Sequence, residues 1–155
     1  MPELESPKVV YEYGNAGNEY VVFDSNVVDG ELAAISSGTY GTFFGTTQKS
    51  SIVTINYNGY SKATIEFETG GIQLGEWWDS NDNWGRTYIN GNEIYNSRTP
   101  KIVGGNYYNP DNPTSYKLEN YTSSTINLKA EAERKNDAWQ TGTYIKIKKI
   151  TLYLD

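Results

Sequence analysis

The sequence predicts an all-β protein: a single-domain antiparallel β-sandwich of jelly-roll type. Three observations lead there. Short apolar–polar alternations recur between turn signals at close spacing. Fourteen Tyr stand against four Phe, and Tyr packs its ring while keeping a hydroxyl in water, which suits sheets with one wetted face. No stretch holds a 3.6-residue apolar period over the length of an ordinary helix. At 155 residues the chain fits one domain with a sizeable core. An immunoglobulin-type sandwich is the weaker choice, because the Cys–Trp–Cys pattern is missing.

In chain order, residues 1–8, with Pro2 and Pro7, read as a flexible lead-in, and the sandwich is expected over 9–155. Val9–Tyr13 is a first strand, stopped by the turn-forming run Gly14–Asn18. Glu19–Phe23 follows and ends at Asp24-Ser25-Asn26. Asp29-Gly30 marks a turn, and Leu32–Ile35 fits either a strand or a helical turn. Gly38–Phe44 reads as a strand broken by glycines, the mark of a bulge. The clearest alternation turns Val53, Ile55 and Tyr57 inward. Asn58-Gly59 is then a hairpin signal, with Ala63, Ile65 and Phe67, or the neighbouring register, inward on the return strand and Thr64, Glu66 and Glu68 on the other face.

Gly70-Gly71 breaks that strand. Arg86–Ile89 and Glu93–Tyr95 flank Asn90-Gly91, a second hairpin signal. Ser97–Ser115, with Pro100, Pro110 and Pro113, reads as one long loop, and loops of that length in a compact domain are functional or disordered. Thr125–Ala132 puts Ile126, Leu128 and Ala130 on one face. Tyr144–Leu154 closes the chain as a strand whose pattern slips at Lys148-Lys149, as a bulge would produce.

Composition excludes several function classes. A net charge of −6, a pI near 4.7 and no runs of Lys or Arg argue against nucleic acid and anionic membrane surfaces as partners. No apolar run approaches the ~20 residues of a membrane helix, so membrane insertion is not expected. Met1–Glu5 is acidic and lacks the apolar region of a signal peptide, which leaves location open. The chain has neither Cys nor His. Disulfide scaffolds, thiolate nucleophiles, histidine bases and the usual zinc sites are therefore closed. Carboxylates, Tyr, Lys and Arg remain for any catalysis.

One stretch departs from both strand and plain-loop composition: Gly75–Gly85, where Trp77, Trp78 and Trp84 surround Asp79, Asn81, Asp82 and Asn83. Indole offers a large flat apolar face with one N–H donor, and a pyranose presents axial C–H groups to such a face. Trp77, Trp78, Trp84, Asn81 and Asn83 are the leading ligand-binding candidates, with Tyr107, Tyr108 and Trp139 behind them. Adjacent Trp77 and Trp78 point to opposite faces of an extended chain, so one surface takes at most one of them. The competing reading is a core Trp beside another that covers a sandwich end.

Asp79, Asn81 and Asp82 are the candidate ligands of a structural Ca2+, since oxygen side chains fall at alternating positions. The run is not an EF-hand, because Trp84 stands where Gly is required and Asn90 where the bidentate Glu belongs. A solvated Asx-rich turn is the alternative. Glu66 with Glu68, and Glu131 with Glu133, form pairs on single strand faces. Glycosidase carboxyls must oppose each other across a cleft, ~5 Å or ~6.5–9.5 Å apart, which same-wall neighbours do not achieve. Glu76 is a further carboxylate without a nameable partner. Asn120-Tyr121-Thr122 is a formal glycosylation sequon.

From the Val9–Tyr13 strand to the closing Ile147-Lys148-Lys149-Ile150-Thr151-Leu152-Tyr153-Leu154-Asp155, the chain resembles the jelly-roll carbohydrate-binding modules attached to polysaccharide-degrading enzymes. The likeness lies in size, all-β pattern, aromatic content and that closing strand. It implies a non-enzymatic, extracellular or cell-surface protein that binds a polysaccharide or glycan, and such modules often carry a structural calcium. Two alternatives stand beside it: a structural or assembly protein of a virion or cell surface, and a small jelly-roll glycosidase using two Glu. Oligomeric state is not legible.

Overall fold

The computed structural model describes residues 3–37, 46–73, 84–96, 102–103, 106–107, 114–133 and 140–155. Its strands are β1 (Lys8–Glu12), β2 (Val21–Val22), β3 (Glu31–Ser37), β4 (Thr46–Ile55), β5 (Lys62–Gln73) and β6 (Trp84–Ile89). After them come β7 (Asn92–Asn96), β8 (Ile102–Val103), β9 (Asn106–Tyr107), β10 (Thr114–Tyr121), β11 (Thr125–Glu133) and β12 (Gln140–Tyr153). No helix occurs among the described residues, and all strand pairings are antiparallel.

One sheet runs β1-β12-β5-β10, with β3 on the same edge of β12 as β1. The other runs β2-β4-β11-β6-β7, and β8 with β9 makes a small separate ladder. The pairings nest: β3 with β12, β4 with β11, β5 with β10, β6 with β7. A chain folded back on itself at the β6–β7 turn and rolled so that successive pairs alternate between sheets is a jelly roll.

The inward rows follow the period-two alternation. Leu32, Ile65, Phe67, Ile145, Ile147, Ile150 and Leu152 of the first sheet face Val53, Ile55, Ile89, Ile126 and Leu128 of the second, all buried. The slip expected at Lys148-Lys149 is a bulge: Ile147 pairs Phe67, Lys149 pairs Glu66, and Lys148 is extra. Lys148 sits where the edge of β12 passes from β3 to β1. There Ile147 N–H donates to Gly30 O (2.8 Å) and Tyr13 N–H to Lys148 O (3.0 Å).

Beyond Gly70-Gly71, which lies inside β5 opposite Tyr144 and Thr143 instead of breaking the strand, two expectations need correction. Asn58-Gly59 does form a tight turn, with both φ positive (48° and 99°) and Tyr60 N–H donating to Tyr57 O. It is not a hairpin, because β4 and β5 lie in different sheets. Local turn chemistry sets four residues, while the pairing partner is set by burial far along the chain. β10 is the second correction: it lies where the sequence reads as loop and unmarked chain, and its first two residues, Thr114 and Ser115, are exposed. Asn90-Gly91 is the hairpin expected, with Ile89 opposite Asn92. Gly38–Phe44 lies outside the described residues.

Candidate functional site

Strand register settles which connections share an end of the sandwich. Gln73 pairs Thr141, Ser37 pairs Gln140, and Glu133 pairs both Thr46 and Trp84. Asn96 lies opposite Arg86, two residues from Trp84, and Thr114 opposite Thr69. Connections 38–45, 74–83, 97–113 and 134–139 therefore all leave from and return to one end. The opposite end carries 56–61 and 122–124, with the Asn90-Gly91 turn set back from it.

At the first end the two sheets are tied and pinched. Thr69, Thr87 and Thr143 are wholly buried. Thr69 Oγ1 donates to Tyr144 O (2.8 Å), so the 2.6 Å bond joining the Thr69 and Thr87 hydroxyls across the sheets uses the Thr87 proton. Thr143 Oγ1 donates to Gly70 O (2.8 Å). Gly85 lets the sheets approach, since a Cβ there would stand 2.6 Å from Thr143 Cβ and 3.1 Å from Gly142 O.

The connections of this end contain, in sequence, Trp77, Trp78, Trp139, Tyr107 and Tyr108, and Trp84 opens β6. All four Trp of the chain belong to it. Trp77, Trp78, Asp79, Asn81, Asp82, Asn83, Tyr108, Trp139 and Glu76 lie outside the described residues. Trp84 and Tyr107 are placed by backbone alone, opposite Glu133 and Ile102. Among the described residues no group of three or more Asp or Glu could hold a metal ion.

From Trp84 a polar ladder runs down the outer face of the second sheet. Register sets Gln48 beside Glu131 beside Arg86, and in the next row Ser50 beside Lys129 beside Tyr88. Glu131 is the hub, with its side chain only 8% exposed. A carboxylate only accepts, and this one faces Gln48 Nε2 (2.7 Å), Arg86 Nε (3.4 Å) and Lys129 Nζ (3.6 Å). Burial raises the Tyr88 pKa, and its hydrogen bond to Glu131 adds to the rise. The Lys129 ammonium lies 5.2 Å from the Tyr88 ring centre. Side chains from three strands are thus held in fixed positions. The sequence places Glu131 with Glu133 on one face, but Gln48 and Arg86 enter only through register.

The outer face of the first sheet has a looser counterpart. Glu68 meets Lys146 (3.7 Å), Lys148 (3.8 Å) and the Tyr144 hydroxyl (3.0 Å). Desolvation, then the bond to Glu68, pushes the Tyr144 pKa up to about 12. Glu66 and Glu68 therefore look away from Glu131 and Glu133, with the whole sandwich between the pairs. These two pairs do not oppose each other across a cleft.

No protein-family model matches the chain, and no curated protein does. Solved structures similar to it include the GH31 α-xylosidase of Xanthomonas citri (8% identity, TM-score 0.37), where the likeness covers 97% of this chain and 19% of that one. This chain thus spans about a fifth of the xylosidase. A second is the module TmCBM61 in complex with β-1,4-galactotriose (10% identity, TM-score 0.34, 87% of each chain). A third is the carbohydrate-binding module CBM36 in complex with calcium and xylotriose (14% identity, TM-score 0.24, 96% of this chain and 99% of that one).

Proposed function

We propose that the protein is a non-catalytic carbohydrate-binding module whose ligand meets the end of the sandwich from which the Trp-bearing connections arise. The observation that carries this reading is the convergence of connections 38–45, 74–83, 97–113 and 134–139 on one end, with every Trp of the chain in or beside them. Trp84 and one of the adjacent pair Trp77 and Trp78 supply flat apolar faces for pyranose C–H groups, joined by Tyr107, Tyr108 and Trp139. Asn81 and Asn83 take and give hydrogen bonds to sugar hydroxyls. Asp79, Asn81 and Asp82 hold a structural Ca2+, with carboxylate and amide oxygens suited to a hard cation. The separation of the Glu66/Glu68 and Glu131/Glu133 pairs supports binding over hydrolysis. A glycan partner goes with a place outside the cell or on its surface.

The test is a polysaccharide and oligosaccharide screen read by tryptophan fluorescence, with calcium and with chelator. Saturable shifts that weaken at least tenfold in Trp78→Ala or Trp84→Ala, with no sugar released, are expected, and chelator should weaken them further. A flat response from well-folded protein across plant, microbial and host glycans would overturn the reading in favour of an assembly role.

A further inference from the structure

We propose that Asn58 is a site of spontaneous covalent modification, an amide that the folded protein converts to aspartate and isoaspartate, while Asn90 is shielded from the same reaction. The proposal is independent of the carbohydrate reading. Asn-Gly occurs twice in the sequence, and both pairs sit in tight turns with positive φ at each residue: 48° and 99° for Asn58-Gly59, 51° and 81° for Asn90-Gly91. Both asparagines are exposed. Residue type, backbone shape and solvent access are thus matched, and the difference lies in what holds each side chain.

Glycine matters to the chemistry because it has no Cβ to keep its nitrogen from the asparagine side chain. The Gly59 nitrogen, on losing its proton to hydroxide, attacks Asn58 Cγ. The new N–Cγ bond closes a succinimide ring, the Cγ–Nδ2 bond breaks, and the amide nitrogen leaves as ammonia. Water then adds to either ring carbonyl. Cleavage of the N–Cγ bond gives an aspartate. Cleavage of the bond from that nitrogen to the main-chain carbonyl carbon gives an isoaspartate, whose backbone runs through Cγ. The balance is one water taken up and one ammonia released, with one more negative charge on a chain that already carries −6.

The Asn90 side chain is held away from this reaction. Its Oδ1 accepts from Asn127 N–H (2.9 Å), its Nδ2 donates to the Tyr121 hydroxyl (3.0 Å), and its backbone N–H donates to Asn127 O (2.8 Å). The Tyr121 hydroxyl is itself anchored on Thr125 O. Both polar atoms of the amide must let go before Cγ can reach the Gly91 nitrogen, and each bond that has to break lowers the reactive population. Asn58 has no such hold. Its side chain makes no hydrogen bond among the described residues, and its turn is closed by the bond from Tyr60 N–H to Tyr57 O (3.0 Å). Two side-chain bonds slow Asn90 by about tenfold or more. The product is felt locally. Leu4 Cδ1 lies 2.9 Å from where a Cβ on Gly59 would stand, and Tyr60 donates its hydroxyl to Glu5 O. The extra backbone atom of an isoaspartate therefore disturbs the seat of Leu4 and Glu5.

The experiment is incubation of the folded protein at mildly alkaline pH, with peptide mass mapping of both turns and assay of released ammonia, beside the same chain unfolded in urea. In the folded protein Asn58 should exchange ammonia for water about tenfold or more faster than Asn90. In urea, where the hold on Asn90 is gone, the two rates should agree within about twofold. Tyr121→Phe removes the acceptor of Asn90 Nδ2 and should raise the Asn90 rate about fivefold while leaving the Asn58 rate as it was. Asn58→Gln should abolish ammonia release at its turn, because the larger ring closes far more slowly. Equal rates at the two turns of the folded protein, or a faster Asn90, would overturn the proposal. So would a difference that persists in urea, since sequence rather than the hold on Asn90 would then explain it. A folded protein that keeps Asn58 intact while the unfolded chain converts it would overturn it as well.

Discussion

The two ends of this sandwich are built on different terms. At one end the turns are short and closed by their own backbone. Asn58-Gly59 has positive φ at both residues, as does the nearby Asn90-Gly91, and the single hydroxyl proton of Tyr57 is shared between Tyr121 O (3.0 Å) and Ser123 O (2.9 Å), pinning the 122–124 connection. At the other end the connections are longer, hold three of the four Trp with Trp84 opening β6 beside them, and rise from a base where the sheets are pinched at Gly85 and bonded through Thr69 and Thr87. The difference teaches where each kind of sequence signal lives. Turn chemistry closes the fold, and residues that turn chemistry does not need are concentrated where a ligand can be met.

The sharpest way to break the comparison is at Gly85. Gly85→Ala puts a Cβ 2.6 Å from Thr143 Cβ, with strand backbone rather than a flexible side chain behind it, and should cost about 3 kcal/mol by overpacking. Gly91→Ala meets nothing within 4 Å, so only its φ of 81° resists, at about 1 kcal/mol. Urea midpoints of the two variants check the ranking. Thr69→Val comes next: it strands the Thr87 hydroxyl and Tyr144 O in a buried place, at about 1–3 kcal/mol, again read by urea.

Within the turns, Asn90→Ala should cost more than Asn58→Ala. Each loses an asparagine from a left-handed position, about 0.5–1 kcal/mol. Asn90 also accepts from Asn127 N–H and donates to the Tyr121 hydroxyl (3.0 Å), worth about 1 kcal/mol more. Equal losses on thermal melting would mean that the Asn90 side chain contributes nothing beyond the turn.

A further effect is in alkaline solution. Tyr57 and Tyr144 both have pKa values raised to about 12, chiefly by desolvation, then by Tyr121 for the first and Glu68 for the second. Between pH 10 and 12 the unfolded chain has released these protons and the folded chain has not. Their contribution is therefore fully present below pH 10 and is lost as pH rises through 12. Stability should fall across that window, and Tyr57→Phe should flatten part of the fall. A pH-independent urea midpoint from 9 to 11.5 would contradict the assignment.

Much of the fold is legible in the sequence because it rests on period-two alternation. Val53 and Ile55, Ala63, Ile65 and Phe67, and Ile126, Leu128 and Ala130 all face inward as read, and the Lys148 bulge shows as a slipped pattern. What is not legible is long-range. Asn58-Gly59 reads as a hairpin because nothing local says that β4 will find β11 and β5 will find β12. Glu131 reads as a solvated strand residue, yet Gln48, 83 positions away, and Arg86 close over it. The Trp-rich run stands out by composition, whereas its convergence with Trp139 on one end follows only from the nested pairing.

The measurement that bears most directly on the central claim is hydrogen exchange with and without a saturating oligosaccharide from the binding screen. The account predicts slowed exchange in peptides covering 74–84 and 134–139, with 56–61 and 122–124 unchanged. Bound ligand that leaves 74–84 and 134–139 unprotected, or that protects the 56–61 and 122–124 turns instead, would contradict it.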